Sequence, residues 1–131
     1  MKIAFVSDSV YPFNKGGKET RSYELATQLA KRNHEVHFYT MKFWEGENTI
    51  KKDNITFHGI CKNYPLYNNK TRSIKHGIMF GLASFKLLRE DFDMIDADHM
   101  VYFHLFPAKL ACLIKRKPLV ITWHEVWGKD Y

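Results

Sequence analysis

The stretch Asn14-Lys15-Gly16-Gly17-Lys18-Glu19 carries the clearest chemical meaning in this sequence. Two adjacent glycines ahead of a helix let the backbone turn tightly and approach a ligand with no Cβ in the way. The first amides of such a helix lack internal partners and sit at the positive end of its dipole, which suits a phosphate or a carboxylate. Lys15 and Lys18 add local positive charge. A plain sharp turn would use the same glycines, so the loop alone does not name a ligand. Two familiar nucleotide loops fail on these residues. The dinucleotide fingerprint needs a third glycine and an acidic residue ending the second strand, where this chain has Thr40-Met41. The phosphate loop needs Gly-Lys followed by Ser or Thr, and Gly17-Lys18 is followed by Glu19.

Three histidine and carboxylate groupings invite a metal reading. His34-Glu35-Val36-His37 lacks the four-residue spacing of the helical zinc motif, and on a strand its histidines face opposite ways. His124-Glu125 has no second histidine downstream. Asp96-Ala97-Asp98-His99 fits better, because two carboxylates at a strand end can share a divalent cation. Acidic residues there also serve simply to cap the next helix.

The elements that must position these residues follow from hydrophobic period. Residues 2–7 form a short apolar run suited to a strand buried on both faces. From Glu19, Tyr23, Ala26, Leu29 and Ala30 recur at helical spacing, and Asn33 is a fitting left-handed cap. Residues 35–40 return to β-branched and aromatic strand chemistry, which completes a right-handed βαβ unit. Residues 41–54 read as an exposed polar loop and residues 55–60 as a weaker third strand near the sheet edge. A helix capped by Ser73 runs to about Arg89, with Ile74, Ile78, Leu82, Phe85 and Leu88 as its apolar stripe. Residues 93–96 make a short fourth strand. A helix follows over 100–115, carrying Phe103, Phe106, Leu110, Ala111 and Ile114, with Pro107 marking a kink or a later start. Residues 118–123 are the fifth strand. The pattern predicts an α/β fold, a doubly wound Rossmann-like parallel sheet in the order 3-2-1-4-5. Ligands of such sheets sit beyond the carboxyl ends of the strands, where the glycine loop and His124 should meet.

Composition sets the outer bounds. With 131 residues the chain suits one domain, and 45% hydrophobic against 26% charged residues excludes disordered and low-complexity classes. The formal net charge of +6 favours anionic partners without choosing among them. Two cysteines, Cys61 and Cys112, are too few for a disulfide scaffold and read as thiols in a reducing compartment. No export signal or membrane-length apolar run is visible, so the expected location is cytoplasmic. Residues 62–90 set Lys62, Lys70, Arg72, Lys75, Lys86 and Arg89 beside Tyr64, Leu66, Tyr67, Phe80 and Phe85. A cationic, aromatic face of this kind suits anionic lipid headgroups, although a core-facing helix with solvated lysines reads the same way. No arginine-rich recognition helix or aromatic RNA-binding signature is present, so nucleic acid is the weakest partner.

One combination of residues is more specific. Pro12, Gly16-Gly17, Glu19, Leu25-Ala26, Leu29-Ala30, Asn33-His34-Glu35-Val36 and Thr40, in that order, resembles the opening of retaining family 4 glycosyltransferases. Phe92 to His99 looks like the fourth-strand segment of that family, and Pro118 to Glu125 like its strand ending in Thr-x-His-Glu. The resemblance implies the N-terminal, acceptor-side half of a GT-B enzyme, in which two Rossmann-like domains face across a cleft. By carry-over, the amides of Gly16 and Gly17, with Lys18, would bind the phosphates and sugar of a nucleotide-sugar donor. His124 would be the catalytic residue in the cleft, while Glu19, Glu125 and His99 would orient the loop or the acceptor. The acceptor would be a glycan or a lipid-linked sugar, and such enzymes often work peripherally on the inner face of a membrane. Neither a metal nor a cofactor is implied, the nucleotide-sugar being a co-substrate.

Two departures stand out. Asn33 replaces the usual glycine before His34, a mild change because Asn tolerates the left-handed conformation. The acidic donor-site motif of the family is missing before Tyr131, so the expectation is an incomplete enzyme that does not turn over alone and needs a C-terminal domain or partner chain. The rival readings are a metal-dependent GT-A transferase using Asp96 and Asp98, and a non-catalytic basic module for membrane surfaces.

Overall fold

The structure, a computed structural model, describes residues 1–7, 17–52, 54–62, 67–68, 71–72, 74–98 and 103–122, with 17–19, 62, 67–68, 71–72 and 74–76 as backbone. Along the chain come β1 (Lys2–Val6), α1 (Gly17–Lys31), β2 (Glu35–Lys42), β3 (Thr49–Lys52) and β4 (Ile55–Lys62). A small antiparallel ribbon, β5 (Tyr67–Asn68) with β6 (Thr71–Arg72), precedes α2 (Ile74–Ala83) and a 3-10 turn over Ser84–Arg89. β7 (Met94–Asp98), α3 (Leu105–Lys115) and β8 (Leu119–Thr122) complete the fold.

The six-stranded sheet has the order β3-β4-β2-β1-β7-β8, and every pairing except β3 with β4 is parallel. Its five parallel strands therefore keep the expected order 3-2-1-4-5. The addition is β3, which lies within the stretch expected to be loop. Asn54, at φ 63, turns the chain back so that Thr49–Lys52 pairs antiparallel with β4. An edge strand needs only one half-buried residue, here Ile50, so its polar composition hid it.

Side chains alternate across the sheet as strand geometry requires. On one face Ile3, Phe5, Val36, Phe38, Ile55 and Phe57 are buried beneath Tyr23, Ala26, Leu29 and Ala30 of α1. The rings form a file: Phe5 stacks on Phe38 at 5.0 Å, and Phe38 on Phe57 at 5.5 Å. α1 ends as expected, with Asn33 at φ 68, its N–H bonded to the Ala30 carbonyl and that of His34 to the Leu29 carbonyl. These paired bonds satisfy carbonyls that the helix end would otherwise orphan.

The opposite face is packed differently. Ala4, Val6, Tyr39, Met41, Ile95 and Ala97 lie beneath Phe80, Leu87, Phe92, Ala108, Ala111 and Cys112. Here Leu88 and Ala111 face the core, but most of the apolar stripes anticipated for the helices turn outward. Ile78, Leu82, Phe85, Phe103, Phe106, Leu110 and Ile114 are exposed, and Phe80, expected on the cationic surface, is fully buried. Small residues let α3 and the neighbouring chain approach closely: a Cβ added to Gly81 would meet Phe103 Cβ at 2.7 Å. Ser84 donates its hydroxyl to the Phe80 carbonyl at 2.8 Å, a local bond that competes with the helical ladder where α2 tightens into the 3-10 turn. α3 begins at Leu105, so Pro107 sits in the first turn, where its missing N–H is harmless.

Asp93 locks the amino end of the sheet. Its Oδ2 accepts from the Lys2 N–H at 2.6 Å, and its own N–H returns to the Lys2 carbonyl at 2.7 Å. That backbone N–H holds the Asp93 carboxyl below its usual range.

Candidate functional site at the carboxyl end of the sheet

In each β-α-β crossover the strand delivers the chain to the carboxyl end of the sheet and the helix returns it to the amino end. α1 therefore starts at the carboxyl end, and Gly17 is its first residue. The N–H groups of its first turn, over 17–20, have no intrahelical acceptors by construction. Gly17, Lys18 and Glu19 occupy that turn. Gly16, His99, His124 and Glu125 lie outside the described residues, as do Lys15 and the loop before it.

A polar row runs across the sheet at that same end. Val6 is in register with Tyr39 and Ala97, so the next residue of each strand aligns Ser7 with Thr40 and Asp98. Asp98 is itself in register with Thr122. By alternation Thr40, Ser7, Asp98 and Thr122 share the α1 side, with Ser7, Thr40 and Asp98 buried. Below the row, Thr122 donates its hydroxyl to Asp96 Oδ1 at 2.7 Å, tying β8 to β7. Thr40 Oγ1 is fully buried and has no hydrogen-bond partner among the described residues. Beside Thr40 the β2–β4 register shifts by one residue, a bulge of the kind that re-aims backbone near functional sites.

His104 was not singled out by its spacing, yet it organises this end. Fully buried at the start of α3, it donates from Nε2 to the Asp98 carbonyl at 2.7 Å and packs on Phe80. Asp96 and Asp98, the residues of the metal-dependent alternative, share the α1 side of β7. No group of three or more His, Cys, Asp or Glu among the described residues is placed to hold a metal ion.

A second titratable cluster sits lower on the opposite face. Glu35 Oε1 lies 3.1 Å from His37 Nε2, His37 Nδ1 lies 2.7 Å from His58 Nε2, and His58 Nδ1 lies 3.4 Å from the Thr49 hydroxyl. Thr49 donates its hydroxyl to His58, and a hydrogen bond joins the two imidazoles. Burial, helped by the charges of His37 and Lys2, pushes the His58 imidazole down to about 4. The hydrogen bond from His37 holds the Glu35 carboxyl below its usual value. Tyr39 stacks on His58 at 4.6 Å, and burial raises its phenol. These groups brace β2, β3 and β4 and lie apart from the polar row.

Comparison with known proteins agrees with this architecture. No curated protein matches the chain. The model of Glycosyltransferase Family 4 matches residues 15–131, beginning one residue before the glycine pair and running through β8. A helix opened by Gly17 over a Rossmann-like parallel sheet, matched along nearly its whole length, makes this chain a member of glycosyltransferase family 4.

Proposed function

We propose that this chain is the acceptor-side half of a retaining glycosyltransferase, moving a sugar from a nucleotide-sugar donor to a glycan or lipid-linked acceptor. The observation that carries the reading is the convergence, at one end of the sheet, of the α1 start with the polar row Thr40, Ser7, Asp98 and Thr122. In this reading the amides of Gly16 and Gly17, with Lys18, meet the donor diphosphate, the part of the substrate that gains charge as the glycosidic bond breaks. Preorganised donors at a developing negative charge are the largest single source of rate in such reactions. His124 lies beside the transferred sugar, and Glu19, Glu125 and His99 orient loop and acceptor. The acceptor hydroxyl attacks from the face that the leaving group vacates, which retains configuration. Donor recognition on the far side of the cleft belongs to a second domain or partner chain, so residues 1–131 alone do not turn over. The free thiols Cys61 and Cys112 support a cytoplasmic, reducing location.

The test is donor turnover by the full-length polypeptide that supplies the donor side, with the anomeric configuration of the product read by NMR. Gly16→Val should lower kcat/KM by about 100-fold or more, on the scale of losing an oxyanion donor. His124→Ala should act chiefly on kcat. An inverted product, or full activity in Gly16→Val, would overturn the reading.

A further inference from the structure

We infer that the face built by α2 and α3 is the contact surface of a homodimer. Helices that cover a sheet normally turn their large apolar residues inward. Here Phe80, Ser84 and Leu87 on the α2 side and Ala108, Ala111 and Cys112 on α3 are buried instead. Two apolar stripes at helical spacing are left outside: Ile78, Leu82 and Phe85, and Phe106, Leu110 and Leu113. Phe103 and Ile114 extend the second stripe, in which Phe106 is 74% exposed and Leu113 and Ile114 65% each. By contrast, Leu25 is the one exposed large apolar residue among the described residues of α1. Between the stripes runs a groove of about 220 Å³ that ends at Pro107. It is preformed, because Gly81 lies so close to Phe103 that an added Cβ would stand 2.7 Å from Phe103 Cβ. A contiguous apolar face of this kind marks an interaction site.

Size and shape select a second copy as the occupant. At about 200 Å² for a fully exposed large side chain, the two stripes expose on the order of 800 Å² of apolar surface. That is the share of one partner in a standard stable interface, about 800 Å². A face shared by two copies about a twofold axis must complement itself. This one carries a ridge, Phe106 with Leu113 and Ile114, beside a groove, so a half-turn sets each ridge against the groove of the other copy. The four helices then pack ridges into grooves. Charge is compatible with self-pairing. Lys109 is exposed within the α3 stripe, while Lys86, beside Phe85, donates to the Ile60 carbonyl at 2.6 Å. At the end of the α2 layer exposed Arg89 is followed by Glu90 and exposed Asp91, which gives that margin both signs. A charge-poor middle with a polar, mixed rim is how protein interfaces are built. No helix among the described residues is long and apolar enough to cross a membrane, so the stripes are not a spanning surface. The inference does not rest on the transferase reading, because the face is on the opposite side of the sheet from the polar row.

Sedimentation equilibrium of the full chain over a concentration series tests it. The mass should rise from 15.5 kDa toward twice that value. The dissociation constant should be on the order of micromolar, because a formal charge of +6 on each copy opposes pairing. For the same reason added salt should tighten the association or leave it unchanged, the opposite of its effect on binding to an anionic partner. Phe106→Ser and Leu82→Ser should each weaken it about tenfold or more, as truncation of a buried anchor does. Well below the dissociation constant, where the copies are apart, both variants should melt as the parent does. Val120→Lys, on the β8 edge, should leave the dimer intact. Should a serine variant fail to fold, the mass series of the parent still decides. A chain that stays monomeric, whether or not it binds vesicles of phosphatidylglycerol, would overturn the inference. So would masses that climb past two copies, or a dimer dissolved by Val120→Lys and untouched by the serine variants.

Discussion

On the α1 side of the sheet, large rings point inward: Phe5, Phe38 and Phe57 stack in file, and α1 lays Tyr23, Ala26 and Leu29 over them. On the other side the sheet presents a braced histidine pair and a mixed row of Ala4, Val6, Tyr39, Met41, Ile95 and Ala97, while α2 and α3 turn Leu82, Phe106 and Leu113 to solvent. The same apolar period thus has two outcomes. Where α1 covers a wide aromatic row, hydrophobic burial decides its rotation. Where two helices must also pack against each other, close approach at Gly81, Ala108 and Ala111 decides it, and the bulky residues are left outside.

The largest expected effect tests that contrast directly. Phe38→Ala should cost about 3–5 kcal/mol in urea unfolding, because it empties the middle of the ring file. Phe106→Ala should change stability by less than about 0.5 kcal/mol, as an exposed position does. Comparable losses from the two variants would erase the difference between the faces.

The histidine pair gives the next test, one of pH. His58 has a folded value of about 4 against an ordinary 6.5, so the unfolded chain takes up its proton first as pH falls. Stability should be full above about 6.5, decline from there toward about 4, and level off below as the folded form protonates too. The groups around it are Glu35, His37, Lys2, Tyr39 and Thr49, with Glu90 and Asp91 near Tyr39. Melting temperature against pH for the parent and His58→Phe would check this. The variant should lose this part of the slope, and an unchanged curve would show that the pair is not what titrates.

The smallest effect compares helix ends. Asn33 at φ 68 and Arg116 at φ 56 both close a helix in the left-handed region. Asn tolerates that conformation and a long side chain does not, so Asn33→Gly should fall within about 0.5 kcal/mol while Arg116→Gly stabilises by up to about 1 kcal/mol. Denaturant midpoints of the two variants separate these outcomes.

Much of the fold was legible because its signals are local. The apolar run at Ile3 to Val6, the period through Tyr23, Ala26 and Leu29, and Asn33 as a cap each specify an element without help from distant residues. β3 was not legible, because an edge strand with only Ile50 half-buried carries no periodic signature. Nor was the outward rotation of α2 and α3, which is set by contacts such as Gly81 with Phe103 that join remote parts of the chain. Within the candidate site, the glycine pair stood out by spacing. Thr40, Ser7 and Thr122 could be grouped only once the register aligned four strands, and His104 only once its bond to the Asp98 carbonyl was visible.

The antiparallel strand β3 gives the sheet a direction of growth. Its Lys51 and Lys52 are exposed on an outer edge, and charged residues there discourage another backbone from zipping alongside. Val120 and Ile121 of β8, at the far margin, are uncharged and partly open on both sides. Any added βα unit, whether fused in evolution or grafted by design, would extend the layer past β8, leaving the lysine-edged side as its closed boundary.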